Sequence, residues 1–234
     1  MDSLNSERPD FIAINGDLLY AAVPNHSIYE HDPESRQHFK YTEYAQSFLR
    51  EAVQTAPVLF STGNHELYMD EGDRKLLSDI GVVFLDDSYR TFDELIFGGL
   101  SSSYKYLANT GVSSTKEEHQ AKWDIIYDKV NTSWLNEFIK QDGYKVLLCH
   151  HPEFYELYLR DKNINLILSG HSHGGQIRLF GRGLFAYGQG WFPKYASGIY
   201  DGKFIVSRGL ANTSRIPRIF NPTELVYINL KEEL

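Results

Sequence analysis

Short apolar runs alternate with helical patterns along most of the chain. Five runs have the length and composition of buried strands: residues 11–14, 57–60, 82–85, 144–148 and 166–168. Between them apolar side chains recur at helical spacing, which predicts helices over residues 41–55, 70–80 and 116–140, and a further helix precedes the run 166–168. Strands that alternate with helices are typical of a layered α/β domain.

The tail of the chain has a different pattern. Beyond residue 175 the helical spacing stops, and Gly- and Pro-rich turns separate three segments that we predict as strands: residues 176–180, 203–206 and 225–228. These strands fit a second, more antiparallel sheet. No repeat, low-complexity tract or linker divides the sequence, so we predict a single domain over residues 1–234.

Composition favours a globular protein that does not bind nucleic acid. The 234 residues are 42% hydrophobic, enough for a sizeable core, and carry a formal net charge of -8. No stretch approaches the roughly 20 apolar residues of a membrane-spanning helix, and we predict a cytoplasmic chain. The single cysteine, Cys149, lies in an apolar run and is predicted to be a small buried hydrophobe.

Four of the predicted strands end in residue types that bind metal ions. The groups are Gly16-Asp17, Gly63-Asn64-His65-Glu66, His150-His151-Pro152 and Gly170-His171-Ser172-His173-Gly174-Gly175. Ligands gather at the carboxyl ends of neighbouring strands in open α/β sheets, so we expect these side chains to converge. A carboxylate, an amide oxygen and several imidazoles suit manganese, iron or zinc. The sequence therefore predicts a hydrolytic metal centre.

Each motif also has a plainer structural interpretation. Gly16-Asp17 alone is more often a turn or a helix cap. His171 and His173 lie two residues apart, so an extended backbone points both to one face, although a surface turn can produce the same spacing. Only one imidazole of His150-His151 is needed as a ligand. The structural interpretation of the other is a hydrogen-bonding or core residue.

Taken together, these motifs resemble those of the calcineurin-like metallophosphoesterases. Two tail segments further resemble the bacterial, membrane-associated branch that includes the phosphodiesterase-like YkuE and YaeI proteins: residues 207–210 and 216–222. The resemblance implies a four-layer α/β/β/α sandwich of two mixed sheets flanked by helices. It also implies two divalent metal ions, of manganese, iron or zinc.

The resemblance implies a role for each motif residue. One ion would be held by a carboxylate, an amide and two imidazoles: Asp17, Asn64, His150 and His171. The second ion would share Asp17 and add His173, while His65 would be the catalytic imidazole that stabilises or protonates the phosphoryl group. The implied reaction is hydrolysis of a phosphodiester or pyrophosphate bond, in a phosphorylated small molecule or a lipid-like substrate, by a metal-activated water.

One motif of the family does not occur in this sequence. The family opens with Asp-x-His on a strand ahead of Gly-Asp, and these 234 residues contain no Asp-x-His. We expect the first strand to be missing, through truncation, a misplaced start or natural degeneration. The second ion would then be short of ligands, and we expect one retained ion and low activity. The resembling branch often carries a membrane anchor ahead of this motif, which makes membrane contact the alternative localisation.

The main functional rival is a catalytically impaired pseudoenzyme that binds metal or substrate. The missing Asp-x-His supports this rival, whereas the retained His65, which faces the substrate in the family, argues against it. A structural zinc protein is less favoured, because such sites usually use cysteine thiolates.

Substrate recognition has two candidate features. Residues 179–200 are rich in Phe, Tyr, Trp and Gly and would form a wall for a lipid or nucleoside portion, unless they simply pack. Three arginines would bind a second phosphate or an anionic headgroup, with surface salt bridges as the alternative: Arg208, Arg215 and Arg218. Four other histidines have no ligand spacing and are taken as ordinary polar positions: His26, His31, His38 and His119.

Overall fold

The computed structural model describes residues 1–18, 39–69, 71–102, 130–212 and 216–231. One part is a parallel three-stranded sheet of β1 (Ile12–Asn15), β2 (Val58–Ser61) and β3 (Val83–Leu85), paired in chain order. Three helices belong to the same part: α1 (Asp2–Glu7), α2 (Phe39–Thr55) and α3 (Glu71–Ile80). Helices α2 and α3 connect successive parallel strands, as a parallel sheet requires.

The second part is a six-stranded mixed sheet. Four short helical segments accompany the two sheets: α4 (Leu135–Phe138), 3₁₀ turns at Asn64–Tyr68 and His173–Gly175, and a π turn at Tyr155–Leu159. The strands from β4 onward are β4 (Ser88–Phe92), β5 (Leu95–Leu100), β6 (Tyr144–Cys149), β7 (Leu166–Ser169), β8 (Arg178–Leu179), β9 (Arg182–Gly183), β10 (Phe185–Ala186), β11 (Gly190–Trp191), β12 (Gly198–Tyr200) and β13 (Phe204–Val206).

The order in the large sheet is β12–β13–β7–β6–β5–β4. Its four central strands are parallel, and the two outer strands are antiparallel to their neighbours. Strands β8 to β11 form two hairpins, β8 with β9 and β10 with β11, which lie between β7 and β12 along the chain.

Three apolar clusters hold these elements together. The cluster between the two sheets draws buried side chains from both: Leu59, Leu85, Phe97, Val146, Leu148 and Leu166. A second cluster packs α1, α2 and α3 against the small sheet, and a third packs α4 and the π turn against the large one. All four residues of β2 are buried, which is why that strand is a continuous apolar run rather than an alternating one.

The predicted mixed α/β fold is confirmed. The three clusters are compatible with four layers, but that level of detail stays a prediction, as does the single domain. Within the described residues the strands of the small sheet pair in parallel, and the large sheet is mixed. The hairpin of β4 and β5 was not predicted; its strands are joined by Asp93 and Glu94, a connection without glycine in which Asp93 adopts a φ of 51°.

Of the long helix predicted over residues 116–140, the structure describes only residues 130–140. Residues 116–129 lie outside the described residues, and of the remainder only α4 is α-helical. The reason is local: the side-chain oxygen of Asn131 accepts hydrogen bonds from the backbone N–H and the hydroxyl of Ser133. Such a side-chain turn competes with helical hydrogen bonding.

The strand predicted at residues 225–228 was also wrong. The segment has no strand pairing among the described residues, and its four side chains are between 38% and 44% exposed. Because successive residues are equally exposed, neither face of the segment is buried. The apolar composition alone therefore did not make it a strand.

The described residues include Cys149 and the helices that bear on membrane insertion. Cys149 is 1% exposed and burial raises the pKa of its thiol, which confirms the inert, buried role. Across the described ranges, none of the helices combines the length and the apolar content needed to cross a bilayer. The cytoplasmic location stays a prediction.

Candidate metal centre

Three of the predicted ligands meet where the carboxyl ends of both sheets come together. Asp17 follows β1, His150 follows β6 and His171 follows β7. The Asp17 Oδ2 atom lies 3.1 Å from His150 Nε2, and His171 Nδ1 lies 3.2 Å from the same nitrogen. Ligands that share one ion at metal–ligand distances near 2.1 Å are about 3.0–3.4 Å apart. The three groups therefore have the spacing of a shared metal site.

The ring of His150 is oriented by the backbone of β1. Its Nδ1 atom lies 2.7 Å from the carbonyl oxygen of Asn15, and a carbonyl can only accept a hydrogen bond. Nδ1 therefore carries a proton, which leaves Nε2 as the nitrogen that can bind an ion. The side-chain amide of Asn15 in turn donates to the carbonyl of Leu168 at 2.7 Å, which ties β1 to β7 directly below the site.

A buried carboxylate, Glu66, fixes the two turns that carry Asp17 and His65. Its Oε2 atom accepts the backbone N–H of Asp17 at 2.8 Å and that of Gly63 at 2.7 Å. Asp17 Oδ1 accepts the N–H of His65 at 3.0 Å, so Oδ2 is the oxygen that faces His150. The sequence interpretation gave Glu66 no role, although a capping residue followed three positions later by Glu is a known helix-start signal.

The same two turns touch backbone to backbone. A Cβ atom added at Gly16 would lie 2.5 Å from Gly63 Cα and 2.7 Å from His150 Nδ1, and one at Gly63 would lie 2.6 Å from the nitrogen of Asp17. Gly16 and Asp17 have positive φ angles of 78° and 57°. Glycine is required at both turns because no side chain fits between them.

Asn64 supplies a further donor. Its Oδ1 atom is buried, and no hydrogen-bond partner lies within reach among the described residues. A buried amide oxygen without a partner is costly in an apolar interior, and a cation removes that cost. Asp17, His150 and His171 already give the mixed oxygen and nitrogen set that manganese, iron or zinc accept, so these residues fit a divalent ion, and Asn64 as a further ligand stays a prediction.

The charges of Asp17 and His150 stabilise each other. Burial alone raises the pKa of Asp17, but the adjacent His150 outweighs it and holds that pKa well below its usual range. Burial alone lowers the pKa of His150, but the charge and hydrogen bond of Asp17 outweigh it and raise the pKa to about 9. Burial lowers the pKa of His171 well below its usual value, so that ring is neutral.

Comparison with known proteins agrees with this geometry. The family model described as calcineurin-like phosphoesterase matches residues 1–175. The chain belongs to the calcineurin-like phosphoesterase family. Members of this family are metal-dependent phosphoric ester hydrolases, which is the class of chemistry that the ligand set indicated.

Two curated relatives are similar to this phosphoesterase over most of its length. It is 27% identical to the uncharacterized protein YpbG of Bacillus subtilis, over 93% of the chain and 68% of YpbG. It is also 27% identical to the uncharacterized metallophosphoesterase Cj0846 of Campylobacter jejuni, over 97% of the chain but only 52% of that protein. Among solved structures, the sulfate thiohydrolase SoxB of Thermus thermophilus in complex with glycerol superposes with a TM-score of 0.40 and 16% identity, covering 84% of the chain and 33% of SoxB.

His65 lies at the open side of the phosphoesterase's metal centre. Its Nε2 atom is 3.9 Å from Asp17 Oδ2, and its side chain is 24% exposed. Burial lowers the pKa of His65, against the opposing effect of Asp17, so the ring is neutral near pH 7. A neutral imidazole at the rim can donate a hydrogen bond to a substrate oxygen.

His173 is not part of the group of mutually close ligand atoms within the described chain. Its Nδ1 atom lies 3.0 Å from Gln176 Nε2, while Gln176 Oε1 is buried without a partner among the described residues. A 180° turn of that amide would let Nδ1–H donate to Oε1 and leave Nε2 of His173 for an ion. The role of His173 at a second ion stays a prediction.

The predicted arginines are engaged within the protein. Arg208 donates to Glu224 from its backbone nitrogen at 2.9 Å and from Nε at 2.6 Å, which matches the salt-bridge alternative. Arg218 Nη2 donates to the carbonyls of Arg208 and Ala211, at 2.6 and 2.5 Å. Arg215 lies outside the described residues, as do His26, His31, His38 and His119.

The aromatic segment after the metal centre is more exposed than packing would require. Phe180, Trp191 and Phe192 are 104%, 72% and 74% exposed. They lie on or beside the two hairpins that rest on the His173–Gly175 turn, where Leu184 N donates to Gly175 O at 3.1 Å. These side chains are therefore open to solvent on hairpins that contact the turn after His171.

The Glu66 contacts give a prediction for stability. Glu66→Ala leaves two N–H groups without their acceptor, which should lower the free energy of unfolding by about 2–4 kcal/mol. Glu66→Gln keeps an acceptor oxygen and should cost about 1 kcal/mol. Urea unfolding measures both, with Glu51→Ala on the exposed face of α2 as the control. Equal losses for Glu66→Ala and Glu51→Ala would show that Glu66 does not fix the turns.

The raised pKa of His150 gives a prediction for metal binding. Below pH 9 an ion has to displace the proton of His150, whereas Asp17 is already ionised and His171 already neutral. Binding of Mn²⁺ should release about one proton, and the affinity should rise about tenfold per pH unit from pH 6.5 to 8.5. Calorimetry in buffers of different ionisation enthalpy counts the protons. Affinity that does not change over this range would contradict the His150–Asp17 pairing.

Proposed function

We propose that this phosphoesterase hydrolyses a phosphodiester or pyrophosphate bond in a substrate with an apolar, lipid-like portion. The observation that carries the proposal is the convergence of Asp17, His150 and His171 at ligand spacing; the exposed aromatic side chains on the hairpins that follow add to it. The family supports the hydrolysis of a phosphoric ester, and the aromatic side chains support the apolar portion. Because the chain spans only part of its curated relatives, the activity of the whole protein belongs to the proposal as well.

The chain's own residues prepare the site for an ion and for a phosphoryl group. Asp17, Asn64, His150 and His171 would hold a divalent ion, which supplies Lewis acidity and lowers the pKa of a coordinated water. Glu66 keeps Asp17 and His65 at a fixed separation through the two turns that it bonds. This preorganisation removes the need for the site to rearrange when charge develops on phosphorus.

His65 would act directly on the substrate. It is neutral and partly exposed, and it faces the same oxygen of Asp17 as the proposed ion site. Its Nε2–H would donate to a phosphoryl oxygen or to the leaving oxygen. A general acid or donor of this kind contributes about 10²–10⁴-fold to the rate.

The aromatic side chains would contact the apolar part of the substrate. Phe180 sits at the tip of the β8–β9 hairpin with a φ of 50°, a conformation that bulky residues rarely adopt, and is fully exposed. Retention of a strained, solvent-exposed Phe points to a binding role rather than to folding. Arg182 in the same hairpin is exposed, so the tip that carries Phe180 has a cationic neighbour in the chain.

A second ion and a second anion contact are weaker elements of the proposal. His173 would hold the second ion together with Asp17, and the missing Asp-x-His leaves that ion short of ligands, so we expect low activity from this chain. Arg218 is the more suitable of the two described arginines for an anion, because its Nε and Nη1 atoms have no hydrogen-bond partner among the described residues.

A metal-binding pseudoenzyme is the second candidate function. The absence of Asp-x-His from the sequence favours it. The two functions differ in what happens once an ion is bound: the pseudoenzyme would bind metal with the same affinity and would hydrolyse nothing, even when a strand carrying Asp-x-His is joined to the chain.

The catalytic proposal predicts a selective effect of His65→Ala. With added manganese, the variant should hydrolyse bis-p-nitrophenyl phosphate about 10²–10⁴-fold more slowly than the parent chain. Manganese affinity should change little, because His65 is not one of the proposed ligands. The assay is run on the chain alone and on a version extended by a strand with Asp-x-His. Metal-loaded extended protein without hydrolysis would favour the pseudoenzyme.

The substrate proposal predicts binding to a lipid surface. Burial of two aromatic side chains contributes about 1.5–3 kcal/mol each, so a Phe180→Ser, Phe192→Ser double variant should lose at least tenfold in partitioning to phosphatidylglycerol vesicles. Hydrolysis of soluble bis-p-nitrophenyl phosphate should be unchanged. Tyr44→Ser, at a 78% exposed position on α2, is the matched control. Co-sedimentation measures the partitioning, and a parent chain that stays in the supernatant would limit the substrate to soluble phosphoesters.

A further inference from the structure

Behind the metal centre lies a second group of chemically active side chains, made of His151, Glu153 and His171. One ligand-type atom of each lies within 4.8 Å of the others. His171 therefore belongs to both groups, one with Asp17 and His150 and the other with His151 and Glu153. The established family motifs account for the first group, and Glu153 has no assigned role.

The carboxylate of Glu153 is buried without a matching donor. Both of its oxygens are shielded from solvent, and neither accepts a hydrogen bond from another residue in the described part of the chain. The nearest polar contact runs from Glu153 Oε1 to His151 Nδ1 at 3.5 Å, which is too long for a hydrogen bond. Burial of a carboxylate in this way costs stability, so its presence calls for a function.

The position of the carboxylate is set from the opposite side by Gly188. A Cβ atom added at Gly188 would lie 3.1 Å from Glu153 Cδ, and nearer still to Oε1, so the β10–β11 hairpin closes directly over the carboxylate. On the remaining side, Ser102 Oγ lies 2.7 Å from His151 Nε2 and holds that ring in place. The chamber around Glu153 is thus built from three separate segments of the chain.

The two nitrogens of His171 have different tasks. Nδ1 lies 3.2 Å from His150 Nε2 and faces the proposed ion. A ring nitrogen that binds an ion has to present a lone pair, so the proton of the neutral ring must then reside on Nε2, which is buried. An acceptor near Nε2 fixes this tautomer and raises the basicity of Nδ1.

We propose that Glu153 is a positioning residue for the metal centre, which accepts Nε2–H of His171 and so directs Nδ1 of that ring to the ion. His151, held by Ser102, keeps the carboxylate in line with His171. The inference rests on the metal centre of the proposed function and adds to it a carboxylate that touches neither the ion nor the substrate. It explains why a carboxylate without its own partner is kept beside a metal ligand.

Zinc binding by the whole chain tests the role of Glu153. Glu153→Met should weaken Zn²⁺ affinity about 10–100-fold, while Glu153→Gln, which keeps an acceptor oxygen, should recover most of the loss. The melting temperature of the metal-free Met variant should stay the same or rise, because a buried carboxylate without a hydrogen bond has been removed. Glu137→Gln, at an exposed position of α4, is the control for loss of a negative charge. A lower melting temperature with unchanged zinc affinity would assign Glu153 a structural role instead.

The ring protons of His171 give a readout that does not depend on activity. Two-bond ¹H–¹⁵N correlation spectra of histidine-labelled protein report which nitrogen carries the proton, and His171→Asn identifies the signals. We expect Nε2–H in the zinc-loaded parent chain and a mixture of tautomers or a displaced ring in Glu153→Met. Identical His171 signals in both proteins would overturn the proposal.

Two further outcomes distinguish failure of the Glu153 proposal from failure of the proposed metal centre. A second zinc ion that is lost in Glu153→Met, with His171 signals that show both nitrogens bound to metal, would make the chamber a cation site and overturn the positioning role. A parent chain that binds no zinc would refute the metal centre. The spectra of the metal-free proteins would then still decide whether Glu153 holds the Nε2–H of His171.

Discussion

The close approach of two backbone turns is the constraint on which the metal centre depends. Gly16 and Gly63 meet without room for a side chain, and Glu66 bonds both turns from below. Asp17, Asn64 and His65 all lie within two residues of this contact. Their relative positions are therefore set by backbone geometry and by one buried carboxylate, rather than by the rotamers of long side chains. A site built in this way needs little reorganisation to receive a charged group.

The large sheet supplies the other half of the centre by the same logic. His150 and His171 follow neighbouring parallel strands, and the Asn15 side chain joins the small sheet to β7 immediately beneath them. The two sheets, packed through their shared apolar cluster, thus bring ligands together that lie far apart in sequence. The apolar core between the sheets and the geometry of the ion site are parts of one arrangement.

Much of this arrangement could be predicted from the sequence because it follows from periodicity and from strand ends. The apolar runs of β1, β2, β6 and β7 predicted strands of a layered α/β domain, and the polar residues that follow them predicted convergence. The role of Glu66 was not predicted. It accepts two backbone N–H groups across a turn contact, and residue type alone does not reveal such a contact. Glu153 was not singled out because its significance lies in its closeness to His171, which only the fold creates. The strand predicted at residues 225–228 failed since apolar composition favours a strand but cannot provide a pairing partner.

That failed strand has a consequence for the protein in solution. In the described residues β1 pairs with β2 alone, so one border of the small sheet has unmatched hydrogen-bonding capacity, and an apolar stretch ending near Leu230 lies in solvent. An edge strand of this kind readily pairs with an extended peptide, including one from another copy of the same chain. Any such pairing would occur on β1, the strand that leads to Asp17 and whose Asn15 carbonyl orients His150, so association of the protein and the geometry of the metal centre are linked.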